Sequence, residues 1–215
     1  MLERSSHRAP VSGSKKMSTT STALMTAAEL IQLPRGYYRA ELIDGELIKM
    51  PLPKVPHGRI AMRLGLPLVQ FISDHDLGEA YITEIGFQLT WDPDTVLGPD
   101  ISFISKARLE AVGETNGYWQ GPPDLAVEVL SPGDRPGKVN KKISRWFSFG
   151  TEQVWIVDPK HSTVTVYRSP SEATMFSGSD HLESPDLLPG FRISLDRIFA
   201  TSADTAREST TIQEK

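Results

Sequence analysis

The sequence of 215 residues contains no cysteine, which excludes a disulfide framework and a thiolate that could bind metal or attack a substrate. Any metal must therefore be held by oxygen or imidazole ligands. The sequence also lacks an apolar run of about 18 residues, the length that a membrane-spanning helix requires, and no apolar segment follows the basic residues near Met1 as in a signal peptide. We expect a cytoplasmic protein without a membrane span.

Positive charge is not in excess either. Lys and Arg number 23 against 27 Asp and Glu, which gives a formal net charge of -4. The chain thus lacks the overall positive field typical of strong non-specific nucleic-acid binders, although a local basic patch can still contact phosphates. The ends are polar with little to bury, so we predict disordered segments at residues 1–22 and 201–215 around one folded domain at residues 26–200.

The pattern of apolar residues predicts strands that alternate with helices. Residues 125–130 form an apolar run typical of a strand buried on both faces, residues 137–149 have helical spacing, and residues 154–157 form a second apolar strand. Strand, helix and strand within about 35 residues predict a right-handed βαβ crossover with parallel strands. The expected fold class is α/β (an α+β mixed sheet), with a mixed β-sheet flanked by helices.

Three other segments have recognisable patterns. Asp44-Gly45 between two strand-like runs predicts a hairpin, because this dipeptide tolerates the positive φ angles of a tight turn. Helical spacing predicts a helix between His57 and His75, bent or weakened by Gly65 and Pro67. Residues 106–123 contain several glycines and two prolines and predict a loop, with room for one helical turn near its start.

Two acids and a lysine stand out against this background. Glu128 interrupts the apolar strand, and a buried carboxylate costs several kcal/mol unless it is paired, protonated or metal-bound. Asp100 opens a second short strand after Gly98-Pro99. On a helical wheel, Lys142 falls at the border of the apolar face, where its ammonium can reach the acidic strand ends. We therefore expect two carboxylates and one lysine to converge.

Such a cluster suits metal-assisted hydrolysis of a phosphodiester. Carboxylate oxygens are ligands that Mg²⁺ prefers, Mn²⁺ can take its place, and a nearby cation can position or deprotonate the attacking water. Plainer interpretations exist for each residue. Asp100 fits a turn, Glu128 fits a structural ion pair, and Lys142 fits a solvated helix position.

The order of these residues resembles a known family pattern. Pro99-Asp100, then Glu128 within an apolar strand, then a lysine is similar to the PD-(D/E)xK nuclease motif, and the wider sequence resembles the Uma family of restriction-endonuclease-like proteins. The resemblance extends over about Leu33 to Phe199. It rests on these pieces: ELIDGEL at 41–47, His57, Pro99-Asp100-Ile101, VEVLSP at 127–132, Lys142 with Gly150, and WIVDP at 155–159.

The resemblance implies a restriction-endonuclease-like core and a Mg²⁺-dependent DNA endonuclease. It implies that Asp100 and Glu128 bind the metal together with the main-chain carbonyl of Val129, and that Lys142 is the catalytic lysine. Leu130 occupies the position two after Glu128, where the motif has its lysine. The helix that follows must therefore supply the lysine.

The helix that carries Lys142 is rich in basic residues. Lys138 departs from the family pattern, in which relatives often carry an acid one turn before the lysine. Only Asp134 opposes the cations of this segment, which are Arg135, Lys138, Lys141, Lys142 and Arg145. The helix either contacts phosphates or simply presents a solvated face.

Further candidates lie earlier in the chain. Of the two hairpin glutamates, Glu41 and Glu46, one can approach the metal from a neighbouring element, and we favour Glu46 as the fourth catalytic residue. The alternative is that both are exposed hairpin positions. His57 is a helix N-terminal residue or hydrogen-bond donor, or it joins the site.

The sequence thus favours a DNA endonuclease. We expect a homodimer, because each protomer offers one site and cleavage of a duplex needs two. The main alternative is a catalytically silent module that binds nucleic acid or protein, with the acids as an ion-paired relic. A metal-dependent hydrolase of smaller phosphoesters is a third candidate.

Overall fold

The computed structural model describes residues 24–34, 38–83 and 85–201. The predicted disordered ends, residues 1–22 and 201–215, lie outside these ranges apart from Thr201. The helices are α1 Ala27–Ile31, α2 Val55–Asp74, α3 Lys106–Val112, α4 Pro136–Ser148 and α5 Leu195–Phe199. The strands are β1 Tyr38–Ile43, β2 Glu46–Pro51, β3 Gly78–Tyr81, β4 Phe87–Thr90, β5 Thr95–Leu97, β6 Ile101–Ser105, β7 Trp119–Gln120, β8 Leu125–Val129, β9 Gln153–Asp158, β10 Thr163–Ser169, β11 Glu172–Phe176, β12 His181–Ser184 and β13 Leu188–Ser194.

The strands form two larger sheets and one hairpin. The five-stranded sheet has the order β2-β1-β5-β4-β7, the six-stranded sheet has the order β11-β10-β9-β8-β6-β3, and β12 pairs with β13. In the six-stranded sheet β8 and β9 are parallel, with α4 between them in the chain, and the other neighbours are antiparallel. The predicted βαβ crossover and mixed α/β class are confirmed, although the single sheet of the prediction is divided.

The six-stranded sheet is covered on both faces, which explains the continuous apolar run of β8. One face packs against α2 and α5, through residues such as Leu64, Val127 and Ile198. The other face packs against α4 and the five-stranded sheet, through residues such as Ala126 and Trp146. Because alternate residues of a strand point to opposite faces, Glu128 lies on the same side of β8 as Ala126. Its side chain therefore faces α4.

A buried carboxylate fixes the start of β8. Asp124 accepts hydrogen bonds from the backbone N–H of Ser105 at 2.6 Å and from Nε of Arg108 at 2.7 Å. The Arg108 guanidinium also donates to the carbonyl of Gly150 at 3.0 Å, just after α4. These bonds tie the ends of β6, α3 and α4 to the strand that carries Glu128.

The hairpin prediction and the helix between His57 and His75 are confirmed, and the loop predicted at residues 106–123 needs correction. Asp44 and Gly45 have φ angles of 51° and 77°, as a tight turn between β1 and β2 requires. Helix α2 continues through Pro67 without a break, held by its buried apolar side. Residues 106–123 contain a seven-residue helix, α3, and the short strand β7, which is more regular structure than the predicted loop with one turn.

None of the helices that the structure describes is both long enough and apolar enough to span a membrane.

Candidate functional site

The candidate site lies where the two sheets meet α2 and α4. Gly98-Pro99-Asp100 links β5 of the five-stranded sheet to β6 of the six-stranded sheet. Asp100 donates its backbone N–H to the carbonyl of Val127 at 3.0 Å, which places it beside the strand that carries Glu128. Both carboxylates are buried, with residue exposures of 5% for Asp100 and 8% for Glu128.

Lys142 bridges two glutamates from different sheets. Its Nζ donates to Oε2 of Glu128 at 2.9 Å and also lies 2.9 Å from Oε1. The same Nζ donates to Oε1 of Glu41 on β1 at 3.0 Å, and that oxygen accepts a second hydrogen bond from the backbone N–H of Gly98 at 3.1 Å. One cation thus holds a carboxylate of each sheet, in an arrangement in which all three charged groups are largely withdrawn from water.

The second donor to Glu128 comes from the same helix as the lysine. Nε1 of Trp146 donates to Oε1 of Glu128 at 2.9 Å. Trp146 follows Lys142 by four residues, so the two side chains project from the same side of α4. The indole is fully buried and packs edge-on against Phe87, with ring centroids 6.2 Å apart.

Asp100 has its own set of partners. Its Oδ2 accepts the backbone N–H of Val129 at 2.7 Å and lies 3.2 Å from Nε2 of His57 at the start of α2. Its Oδ1 lies 3.4 Å from a terminal nitrogen of Arg39, which is on β1 two residues before Glu41. This Oδ1 is buried and accepts no hydrogen bond from the part of the chain that the structure describes.

The environment shifts these acids in opposite directions. Burial raises the pKa of Glu128 to about 7; Lys142 opposes this rise, while the negative charges of Asp100 and Glu41 add to it. Burial also disfavours the ionised form of Asp100, but the hydrogen bond and charge of His57, the N–H of Val129 and the charge of Arg39 outweigh it, so the pKa of Asp100 is lowered.

The lysine responds to its two partners. Burial disfavours its charged form, but the charges of Glu128 and Glu41 and their hydrogen bonds raise the pKa of Lys142 above the ordinary lysine value. The ammonium is therefore held in its protonated form across the neutral range, and the arrangement can donate hydrogen bonds to an anion but has no free lysine base.

The structure brings Glu41 to the lysine and leaves the favoured hairpin glutamate outside. Glu46 is exposed at the start of β2, next to the turn, and is paired in register with Ile43. Glu41 lies in the middle of β1 with 5% exposure. The structure therefore places Glu41, and not the favoured Glu46, in contact with Lys142.

Sequence reasoning missed two contributors. Arg39 precedes Glu41 by two residues in β1, so strand periodicity places both on one face. Trp146 follows Lys142 by four residues, so both lie on one side of the helix. Its place on the buried face was predicted, but the role of its indole N–H as a donor to Glu128 was not. The strand and helix periods that place Glu41 and Lys142 at the site also place the polar groups of Arg39 and Trp146 beside them.

A pocket lies beside this junction. It has a volume of about 180 Å³ and adjoins Arg39, Glu41 and Gly98, with Tyr118 and apolar residues on its other sides. Glu41 contacts the lysine and also lines the pocket, whereas Asp100, Glu128 and Lys142 do not line it.

Comparison with known proteins identifies the family. The model of the family described as "Uma2: Putative restriction endonuclease" matches residues 27–196. The chain belongs to this family. The resemblance predicted from the sequence is confirmed, and so is the restriction-endonuclease-like fold. A search of curated proteins found no match.

A solved structure supports the same fold. A crystal structure described as a putative nuclease belonging to DUF820 from Anabaena variabilis is 26% identical to this Uma2 chain, with a TM-score of 0.69. The alignment covers 82% of this chain and 98% of that one. The similarity thus includes nearly the whole of the neighbour.

The donor set of the site fits a magnesium ion. Among the described residues no three His, Asp or Glu side chains are grouped to hold a metal on their own. Magnesium, however, is commonly bound by one or two carboxylates that share it with water and substrate phosphates. The buried Oδ1 of Asp100, which accepts no hydrogen bond from a described residue, and the adjoining Glu128 supply ligands of this type.

Proposed function

We propose that this Uma2-family protein is a Mg²⁺-dependent DNA endonuclease that hydrolyses phosphodiester bonds in the cytoplasm as a homodimer. The observation that carries the proposal is the buried arrangement of Glu128, Lys142 and Glu41 beside Asp100. Burying several charges at a sheet junction lowers the stability of the fold, because each charge loses its hydration. Such clusters are found mostly at functional sites. The family match and the nuclease-like neighbour support the same chemistry.

The residues divide into two roles. Asp100, Glu128 and the carbonyl of Val129 would hold Mg²⁺, with Mn²⁺ as a substitute. A bound Mg²⁺ supplies Lewis-acid stabilisation of the charge that builds up on the scissile phosphate. In the overall reaction water adds across a P–O bond, so that one product keeps the new phosphate oxygen and the other takes a proton.

Lys142 serves as a hydrogen-bond donor in this proposal. Because its pKa is raised, it carries a positive charge near neutral pH and can orient the attacking water or contact a phosphate oxygen. Glu41 holds the ammonium in place from the opposite side. Of the two sequence-based roles for the lysine, positioning water is therefore favoured over deprotonating it.

Plasmid nicking tests the proposal. Wild-type protein should nick supercoiled DNA with Mg²⁺ or Mn²⁺ and not with EDTA, and Glu128→Ala should remove the activity. Cleavage by Glu128→Ala at the wild-type rate would show the proposal to be wrong. Light scattering of the intact protein measures the expected dimer mass.

The two hairpin glutamates can be separated in the same assay. We expect Glu41→Gln to lose most of the activity, since Lys142 then lacks one of its two carboxylates, and Glu46→Gln to retain it. The opposite result would restore Glu46 as the fourth catalytic residue.

The alternative function is a catalytically silent binding module. It is favoured by one observation, that Lys142 and Trp146 already donate hydrogen bonds to both carboxylate oxygens of Glu128. Calorimetric titration with Mn²⁺ distinguishes the two functions. A nuclease should bind the ion in a manner that depends on Asp100 and Glu128, whereas a silent module should show no such binding.

A further inference from the structure

Helix α4 carries four cations on one side, and a fifth, Arg135, is its N-cap residue. We name these residues the basic ridge: Arg135, Lys138, Lys141, Lys142 and Arg145. At 100° per residue, Lys138 and Arg145 lie within about 60° of Lys142 around the helix axis, and Lys141 lies about 100° away on the same side. From Pro136 to Ser148 the helix has no acidic residue. A chain with a net charge of -4 thus concentrates positive charge here.

Most of these charges are not paired with an acid in the part of the chain that the structure describes. Elsewhere, some cations pair with acids, as Lys106 does with Asp76 and Arg168 does with Asp186. Lys142 pairs with the site acids, but the other four cations form no ion pair with a described residue: Arg135, Lys138, Lys141 and Arg145.

This spacing is unfavourable for an isolated helix. Lys138 and Lys141 are three residues apart, and Lys141 and Arg145 are four residues apart, so like charges are neighbours on the surface. A solvated helix is usually stabilised by opposite charges at these distances. A polyanion along the ridge would relieve the repulsion that the described residues leave.

The ridge is continuous with the candidate site. Lys142 stands between Lys138 and Arg145 and is the residue whose ammonium contacts Glu41 and Glu128. Lys138 and Arg145 are about 10.5 Å apart along the helix axis. That length corresponds to roughly three phosphates of one DNA strand at 3.4 Å of rise for each.

We propose that the basic ridge binds the phosphates of a DNA strand on both sides of the bond that the site cuts. This inference rests on the proposed function, because it takes its ligand from the proposed nuclease reaction. The ridge positions the strand, and the buried cluster at Lys142 receives the central phosphate.

Salt dependence of binding tests this inference without cleavage. The probe is a fluorescein-labelled 20-base-pair duplex, and its anisotropy is titrated with full-length protein in EDTA at 50–200 mM NaCl. Lys138→Gln/Lys141→Gln removes two exposed charges and keeps helix propensity. The matched control is Arg192→Gln/Arg197→Gln, which removes two exposed charges from β13 and α5 on the opposite face of the six-stranded sheet.

We expect the ridge variant to reduce the slope of log K against log salt by about 0.9 for each lost contact. Its Kd at 100 mM NaCl should rise at least about fivefold. The control should keep the wild-type slope. Equal slopes for wild type and ridge variant, equal losses in both variants, or no salt-dependent binding by wild type would each overturn the inference.

The nuclease proposal fails separately. A wild-type protein that binds DNA through the ridge but does not nick it with Mg²⁺ or Mn²⁺ would support this inference and contradict catalysis. If wild-type protein nicks DNA but the ridge variant keeps the wild-type slope of log K against log salt, the nuclease proposal is supported and this inference is contradicted.

Discussion

At the scale of single residues, Trp146 connects the packing of the core to the chemistry of the site. Its indole fills a fully buried position beside Phe87 and also donates to Oε1 of Glu128. A buried acceptor that loses its donor costs about 1–3 kcal/mol. Trp146 therefore helps to orient the carboxylate of Glu128, which would otherwise be held by Lys142 alone.

Trp146→Phe should remove this donor while it keeps most of the ring. We expect roughly tenfold weaker Mn²⁺ binding by calorimetry, because groups that orient a metal ligand typically contribute 10- to 100-fold to affinity. Trp155→Phe is the matched control. Trp155 is equally buried and donates to Oε1 of Gln153 at 3.1 Å, on the opposite face of the sheet from Glu128. It should lose stability and keep its Mn²⁺ affinity, and equal losses of affinity in both variants would contradict a positioning role.

The raised pKa of Glu128 predicts a pH-dependent stability of the metal-free protein. The pKa of Glu128 in the folded protein is about 7, whereas the ordinary pKa of a glutamate is 4.5. Between these values the folded protein holds a proton that the unfolded chain releases, so the free energy of unfolding falls as pH rises from about 4.5 to 7. The expected change is on the order of 3 kcal/mol.

Glu128→Gln has no titratable group at this position, so this decline should be reduced in the variant. Urea denaturation in EDTA at several pH values measures the difference between the two proteins. Parallel stability profiles of wild type and variant would exclude Glu128 as the titrating group.

At the scale of elements, two glycines of α2 show why helix propensity alone does not determine the sequence. A Cβ on Gly65 would lie 2.9 Å from two side-chain atoms of Ile82, whereas a Cβ on Gly58 would meet nothing within 4 Å. Gly65 therefore permits the close packing of α2 against the segment after β3. Gly58 has no such packing role.

The two glycines should respond in opposite ways to the same substitution. Gly58→Ala should stabilise the protein by about 0.5–1 kcal/mol, since alanine is the better helix former. Gly65→Ala should destabilise it by about 1–3 kcal/mol, because overpacking at Ile82 exceeds the gain in propensity. Chemical denaturation of both variants provides the measurement, and stabilisation by Gly65→Ala would show that Ile82 moves at little cost.

At the scale of the whole molecule, the site is assembled from parts that are distant in the chain. Glu41 comes from the five-stranded sheet, Glu128 from the six-stranded sheet, and Lys142 from the helix between β8 and β9. The two glutamates meet at one lysine only when both sheets are docked. The site and the fold are therefore coupled.

Mn²⁺ should stabilise the whole fold if it binds at this junction. A ligand at 100 times its Kd adds about 2.7 kcal/mol to the free energy of unfolding. We expect the melting temperature of wild-type protein to rise with Mn²⁺ concentration, and that of Asp100→Asn to remain constant. The variant is first compared with wild type in EDTA, so that any loss of fold is measured separately. An equal rise in both proteins would place the ion elsewhere.

The sequence by itself determined the βαβ crossover, the Asp44-Gly45 hairpin and the family. These depend on local periodicity, on turn residues and on the spacing of Asp100, Glu128 and Lys142, all of which are properties of neighbouring positions. An acid in a buried strand was also visible, because its desolvation cost is independent of the partner that it finds.

Only the tertiary structure decided which residues surround that acid. The choice of Glu41 over Glu46, the contacts of Arg39 and His57 with Asp100, and the division into two sheets all follow from how distant elements dock. Side chains separated by up to 101 positions, as Glu41 and Lys142 are, meet through packing that no local pattern encodes. The sequence therefore predicted the chemistry of the cluster, and the docking of the two sheets decided its membership.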